Sequence, residues 1–190
     1  MKYYKKLIGE KCYLSPISIE DAEQYVEWLN DMEVSKNLVM SSRQITLDRE
    51  REILSNMSKN QSQIFGIIDK ANDKLIGNCS LFNIDHMDSK AGFGIFIGDK
   101  SYWNKGFGTE ATKLILDYGF NILNLHNIWL EVYSYNKRAI RSYEKVGFKL
   151  IGKRREAKKI NGEWFDEVYM DILDREFESV YIRKVMEEEI

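Results

Sequence analysis

Gly106-Phe107-Gly108, preceded by Trp103-Asn104-Lys105 and followed by Thr109, is the segment whose residue types could most directly do chemistry. Two glycines allow a turn tight enough for several backbone N–H groups to converge on one anion. A helix that starts there adds the positive end of its dipole, and Lys105 adds a flexible cation. The chemistry expected is the cradling of phosphate; the plain alternative is a loop whose glycines only permit a sharp entry into a helix. Gly106-x-Gly108-x-x-Ala111 also satisfies a dinucleotide-binding fingerprint, with Glu131 placed as a ribose-binding acid would be. Against that reading, Asp99 to Lys105 separate the preceding strand from the first glycine, and the strands before it read as hairpin-connected neighbours. Cys12 and Cys79 form no C-x-x-C pair and have no nearby histidine, so neither a metal site nor a disulfide framework is expected.

The elements that must position this loop follow from the pattern of apolar residues. Lys11 to Leu14 reads as a short strand. Ser18 then reads as an N-cap for a helix that buries Ala22, Tyr25, Val26 and Leu29. A second helix from Thr46 buries Ile53, Leu54 and Met57. Ile64 to Ile68, Leu75 to Ile84 and Ala91 to Gly98 form an antiparallel meander, the first two joined by a turn at Ala71-Asn72-Asp73-Lys74. A helix over Gly108 to Leu123 follows the glycine loop, then a strand over Ile128 to Ser134. A short helix over Asn136 to Val146 ends on Gly147 as a left-handed cap. Strands Phe148 to Arg155 and Trp164 to Ile172 flank the hairpin signal Asn161-Gly162.

At 190 residues, with one proline and no linker or repeat, the chain reads as a single domain over 1–190, with 173–190 a helical C-terminal extension. A composition 44% hydrophobic and 31% charged fits a soluble globular protein. A formal net charge of -2 creates no field that calls for nucleic acid or membrane as a partner. No apolar segment follows the basic first residues, and no run reaches the ~18 apolar residues of a membrane span. A cytoplasmic protein is expected.

Two segments together are similar to the GNAT acetyltransferase superfamily. Phe93 to Ala111, with Trp103-Asn104-Lys105-Gly106-Phe107-Gly108-Thr109 at its centre, resembles that family's coenzyme A signature opening a central helix. Asn136-Lys137-Arg138-Ala139-Ile140-Arg141-Ser142-Tyr143-Glu144-Lys145-Val146-Gly147-Phe148 resembles its N-x-x-A-x-x-x-Y-x-x-x-G-F block. Within the superfamily, Trp28-Leu29-Asn30-Asp31, Leu123-Asn124-Leu125-His126 and Asn161-Gly162-Glu163 resemble the RimJ/RimL-type and spermidine acetyltransferase-like branch. Trp103 stands where the signature usually has Gln or Arg.

The resemblance implies an α/β (α+β) domain: a mixed, mostly antiparallel sheet of about seven strands, flanked by helices and splayed at the cofactor site. It implies acetyl-CoA as co-substrate and acetyl transfer to an amine in a ternary complex. The pyrophosphate would rest on Trp103, Asn104, Lys105, Gly106, Phe107, Gly108 and Thr109, chiefly through backbone amides. The pantetheine arm would add along Ile95, Phe96 and Ile97, with Asn136 near the thioester. Tyr143 would be the general acid at the sulfur. Each has a plain counterpart: Tyr143 shares a helix face with Ala139 as a core residue would, and Asn136 serves as an N-cap.

The general base is open. Relatives carry a glutamate where this chain has Gly92, which leaves Asp85, His86 and Glu131, or a water chain. The acceptor is a protein N-terminus or small metabolite, with a polyamine or amino sugar as alternative, and a non-catalytic acyl-CoA sensor as the rival class. Glu20, Glu23, Glu27, Asp31 and Glu33 could supply charge for a polyamine, or simply form a solvated helix face. Lys153, Arg154, Arg155, Lys158 and Lys159 could draw an acidic partner, or protect an edge strand. Homodimerisation through the tail or sheet edge is a fold-level expectation.

Overall fold

Ile67 and Ile68 are both fully buried although their side chains point to opposite faces of one strand, so the sheet that contains them is covered on both sides. In the computed structural model, which describes residues 2–39, 41–59 and 63–187, that sheet has eight strands. They are β1 (Leu7–Ile8), β2 (Cys12–Pro16), β3 (Gln63–Asp69), β4 (Lys74–Asp85), β5 (Lys90–Ile97), β6 (Asn127–Tyr133), β7 (Lys149–Ile160) and β8 (Glu163–Leu173), in the spatial order β1-β2-β3-β4-β5-β6-β8-β7. Every neighbouring pair is antiparallel except β5 with β6.

One face is covered by α4 (Phe107–Asn121) and α5 (Lys137–Val146). Ala111, Leu114 and Ile115 meet Leu14, Ile67, Ile76, Leu81 and Ile128 there. The other face, over β2 to β5, is covered by α1 (Ala22–Asn30), α2 (Met32–Ser35) and α3 (Leu47–Lys59). Tyr25, Trp28, Leu29 and Leu54 pack on Tyr13, Ile68 and Leu75. The expected meander is present, and its first turn has Asp73 in the left-handed region at φ 54°. Asn161 and Gly162, at φ 50° and 83°, make the β7–β8 hairpin with the two positive dihedrals a tight turn needs.

The structure adds to the sequence reading and corrects it in places. The two-residue β1 raises the strand count from about seven to eight, and the four-residue α2 has no counterpart in the apolar pattern. Ser18 caps a 3-10 turn over Ile19–Asp21 before α1 begins. In α3 only Leu54 of the expected core residues is fully buried; Ile53 and Met57 are half-buried. The C-terminal segment is less helical than expected: Leu173 still belongs to β8, and the helix α6 covers only Ile182–Glu187, with 188–190 outside the described residues.

One buried carboxylate gathers most of the hydrogen bonds that tie that segment to α4. Asp117 of α4 is fully buried. It accepts from Ser179 Oγ at 2.8 Å and from the backbone N–H groups of Val180, Tyr181 and Ile182 at 2.9, 2.6 and 3.0 Å, and Asn121 Nδ2 adds a bond of 2.7 Å. An anion at the start of α6 satisfies N–H groups that have no acceptor in their own helix. Phe177 follows on the same side, against Phe120 with centroids 5.5 Å apart. Hydrogen bonds to a charged group contribute roughly 1.5–3 kcal/mol each and are not additive. Asp117→Ala is therefore expected to lower the unfolding free energy by about 3 kcal/mol and to expose the bond after Tyr181 to chymotrypsin. An unchanged urea midpoint with an uncut tail would show that the strap is held by something else.

Candidate active site

β5 and β6 pair through only three residues each, Lys90, Ala91 and Gly92 with Asn127, Ile128 and Trp129. Beyond Gly92, β6 stays with β8 along its whole length while β5 stays with β4, so the two strands part. The wedge between them is a cavity of about 770 Å³. Ile95, Phe96 and Ile97 lie along it on the β5 side, and their edge facing β6 has no strand partner. A backbone edge of this kind needs a partner from water or a ligand.

The glycine loop closes one end. Asn104 and Gly106 both take left-handed dihedrals, φ 59° and 88°, and Gly106 is the N-cap of α4. A glycine has no side chain to cap the helix, so the first N–H groups of α4 remain open toward the cavity. Trp103, Asn104, Gly106, Gly108 and Thr109 line it. Lys105 and Phe107 do not: Phe107 packs edge-on against Tyr102 at 5.0 Å, and the Lys105 carbonyl accepts from Lys11 Nζ at 2.9 Å. Glu110, the acid of the first turn, is turned away to the β1–β2 hairpin, where it accepts the backbone N–H groups of Glu10 and Lys11. Among the described residues no carboxylate lines this end of the cavity.

α5 forms the second wall. Asn136 caps it, its Oδ1 accepting from the Ala139 N–H at 3.2 Å, and the amide nitrogen is left as a donor at the cavity. Gly147 ends the helix at φ 116°, as the sequence predicts. Tyr143 is half-buried among Phe93 and Phe148, with ring centroids 6.2 and 5.8 Å away. Burial pushes its phenol up to about 12, and no hydrogen bond to the hydroxyl occurs among the described residues.

Sequence reasoning passed over a row of groups on the same helix. Arg138, Arg141, Ser142 and Lys145 all face the cavity. Their i, i+3, i+4, i+7 spacing is the sequence signal for a shared helix face, overlaid in this block by Asn136 and Tyr143. The Arg138 guanidinium lies 4.0 Å from the centroid of the Trp103 ring, whose indole N–H is spent on the Ile97 carbonyl at 2.8 Å. Trp103 thus closes the end of β5 and holds a cation at the loop. Ser142 Oγ is 2.9 Å from Thr109 Oγ1, which ties α5 to the first turn of α4.

The opposite end of the cavity differs. Alternation along β6 puts Trp129, Glu131 and Tyr133 on one face, where all three line the wall together with Phe82 and Glu167. Glu167 is buried, paired with Arg154 Nη2 at 2.6 Å, and accepts from Tyr169 Oη at 2.9 Å. Partial burial, then the neighbouring Glu167 charge, raises the Glu131 carboxyl above the usual glutamate range, with Arg154 opposing. Asp85 and His86 are not brought to the site. Asp85 ends β4 and His86 begins the β4–β5 turn, at the end where β5 and β6 remain paired, and Asp85 is held by the N–H groups of Met87 and Asp88. His126 is likewise elsewhere, 3.1 Å from Asp174.

Residues 11–149 match the family model described as "Acetyltransferase (GNAT) domain". The protein named "Probable N-acetyltransferase YjcK" of Bacillus subtilis (strain 168) is 32% identical over 180 residues, covering 91% of this chain and 99% of that protein. Spermidine N(1)-acetyltransferase of Escherichia coli (strain K12) is 37% identical over 101 residues, 53% of this chain and 54% of that one. A crystal structure of spermidine N-acetyltransferase from Vibrio cholerae in complex with CoA and spermine superposes with a TM-score of 0.80 at 28% identity, covering 88% of this chain and 98% of that one.

Gly92 explains how the aromatic end is built. A Cβ there would run into the Phe82 ring, which instead lies over the glycine and meets Trp129 edge-on at 5.7 Å. Overpacking of this kind costs roughly 1–3 kcal/mol. Gly92→Ala is expected to destabilise by about that amount in the native background and by clearly less in a Phe82→Ala background. Equal costs in the two backgrounds, by urea unfolding, would refute the contact.

Proposed function

The chain belongs to the GNAT acetyltransferase family, and on that premise we propose that it moves the acetyl group of acetyl-CoA directly onto an amine bound in the same cavity. The observation that carries this reading is the wedge between β5 and β6, which joins a strand edge left without a neighbouring strand, an open helix N-terminus and the half-buried phenol of Tyr143 in one space. The residues suit the cofactor. The N-terminal amides of α4, with Arg138, Arg141 and Lys145 beside them, offer dipoles and cations for a pyrophosphate. The edge of Ile95 and Phe96, short of the Ile97 carbonyl that Trp103 already occupies, offers backbone groups to the amides of a pantetheine arm, and the Asn136 amide nitrogen supplies one more donor.

The thioester supplies an acetyl group activated toward nucleophiles; the chain's own residues manage position and protons. Glu131, across the cavity on β6, is the base assigned to the acceptor amine, because it alone of the sequence candidates lines the wall. Its raised pKa suits a proton acceptor better than an ordinary glutamate would be suited. Tyr143 is assigned to the sulfur. A phenol pushed up to about 12 remains neutral and donates a hydrogen bond as the C–S bond breaks. Outright transfer to a free thiolate of pKa ~8.5 would be uphill by about 5 kcal/mol. The phenol therefore shares its proton while negative charge grows on sulfur, and solvent completes the protonation.

Release of free thiol from acetyl-CoA in the presence of an amine tests the transfer, and acceptor-independent release at the same rate would refute it. Tyr143→Phe is expected to reduce kcat at least ~10-fold with acetyl-CoA affinity by calorimetry unchanged. The pH profile carries the sign of the other assignment. Glu131 must be ionised to accept a proton, so kcat/KM falls as pH drops through a value above the usual glutamate range. Tyr143 adds no alkaline limb below about 12. Glu131→Gln should remove the acidic limb along with most of the rate; a limb that survives the substitution belongs to another group.

A further inference from the structure

The acceptor end of the cavity has a charge inventory that narrows the amine it can take. Two carboxylates line it, Glu131 and Glu167. Glu167 is buried and already paired with Arg154 at 2.6 Å, so the three groups together leave one negative charge. A further cation stands at this end: Lys158 Nζ is 5.2 Å from the centroid of the Tyr133 ring and is anchored on Ser41 Oγ at 2.9 Å.

The acids that could have served a polyamine do not line this cavity. Lys100 holds both Asp31 and Glu33, at 2.8 and 2.7 Å. Glu20, Glu23 and Glu27 line a separate cavity with Tyr3, Tyr13 and Asp73. An ammonium group brought into the site beyond the first would thus meet Arg154 and Lys158 rather than a carboxylate, and an unpaired charge in such a place is strongly disfavoured.

The rest of the wall is aromatic. Trp129 and Tyr133 flank Glu131 on the same face of β6, and Phe82 lies over Gly92 and edge-on to Trp129. A single carboxylate between aromatic faces suits one ammonium group attached to an apolar body: the carboxylate takes the charge, and the rings take the apolar area and the adjoining cationic methylene. We propose that the acceptor is a monocationic primary amine on an apolar or aromatic body, its nitrogen at Glu131 and its body against Trp129 and Phe82, and that polyamines are poor acceptors. The proposal rests on the transfer reading above. The same chemistry is offered by a small arylalkylamine and by the N-terminus of a peptide that begins with an apolar residue.

The test follows thiol release from acetyl-CoA with methylamine, 2-phenylethylamine, an uncharged peptide with N-terminal Phe, and spermidine, while calorimetry measures acetyl-CoA binding separately. At least one of the two aromatic acceptors is expected to exceed both spermidine and methylamine by ~10-fold or more in kcat/KM, and which one does so identifies the source of the amine. Trp129→Ala should reduce the preference for that acceptor over methylamine at least ~5-fold. Spermidine equal to or better than both aromatic acceptors overturns the proposal and leaves the transferase reading standing, as does an aromatic preference that Trp129→Ala does not reduce. Binding of acetyl-CoA without thiol release from any amine overturns both.

Discussion

A parallel strand pair that gives up after three residues governs the rest of the molecule. β6 is drawn into a full antiparallel ladder with β8, from Asn127 opposite Leu173 to Tyr133 opposite Glu167, and β5 into a ladder with β4. Beyond Gly92 neither strand follows both neighbours; Phe93 and Tyr143 line the opening, with Phe148 packed against both. The result is a peptide edge beyond Gly92 that no strand completes among the described residues, with only the Ile97 carbonyl met, by the Trp103 indole. Such an edge is destabilising unless something completes it, and sheets in most proteins avoid it. Here α4 begins at the same opening, so the deficit of hydrogen-bond partners and the positive end of a helix dipole face one space.

Electrostatics then divides that space in two. Arg138, Arg141 and Lys145 stand on the helix side, while Glu131 on β6 and the paired Glu167 on β8 stand on the far side. The separation requires no long-range design. It follows from a helix face repeating every three to four residues and a strand face repeating every two, placed opposite one another. Tyr143 lies between the two ends, in surroundings that keep its proton on. Under the proposed transfer, an anionic cofactor and a cationic acceptor would be drawn to opposite ends of one cavity, with the phenol between them uncharged.

Much of this was legible before any coordinates. Long periodic stretches, such as Gly108 to Leu123 and the three strands of the meander, are recoverable because burial imposes their period directly. Gly147, Asp73 and the Asn161-Gly162 turn are recoverable because few residues tolerate their dihedrals. The two-residue β1 and four-residue α2 are too short to show a period, and they exist because neighbouring elements hold them. The base candidates divide for a different reason. Asp85 and His86 are close in sequence to a strand of the site, but adjacency along the chain does not say which end of the strand faces the ligand. Glu131 is distinguished only by which neighbours it meets across the sheet. The cation row of α5 was visible in principle, and the stronger Asn136 and Tyr143 signals obscured it.

The strap at Asp117 bears on the order in which the molecule can be assembled. Most of the donors that satisfy this carboxylate lie between residues 179 and 182, whereas the helix that carries it is complete by residue 121. During synthesis at ~5–20 residues per second, several seconds separate the two. Until the later segment leaves the ribosome, burying α4 against the sheet would mean dehydrating a carboxylate with only Asn121 to meet it. The nascent chain therefore has a reason to keep this helix face wet. The packing that shapes the glycine loop and the cavity mouth is completed only when the last stretch of chain arrives to neutralise the penalty.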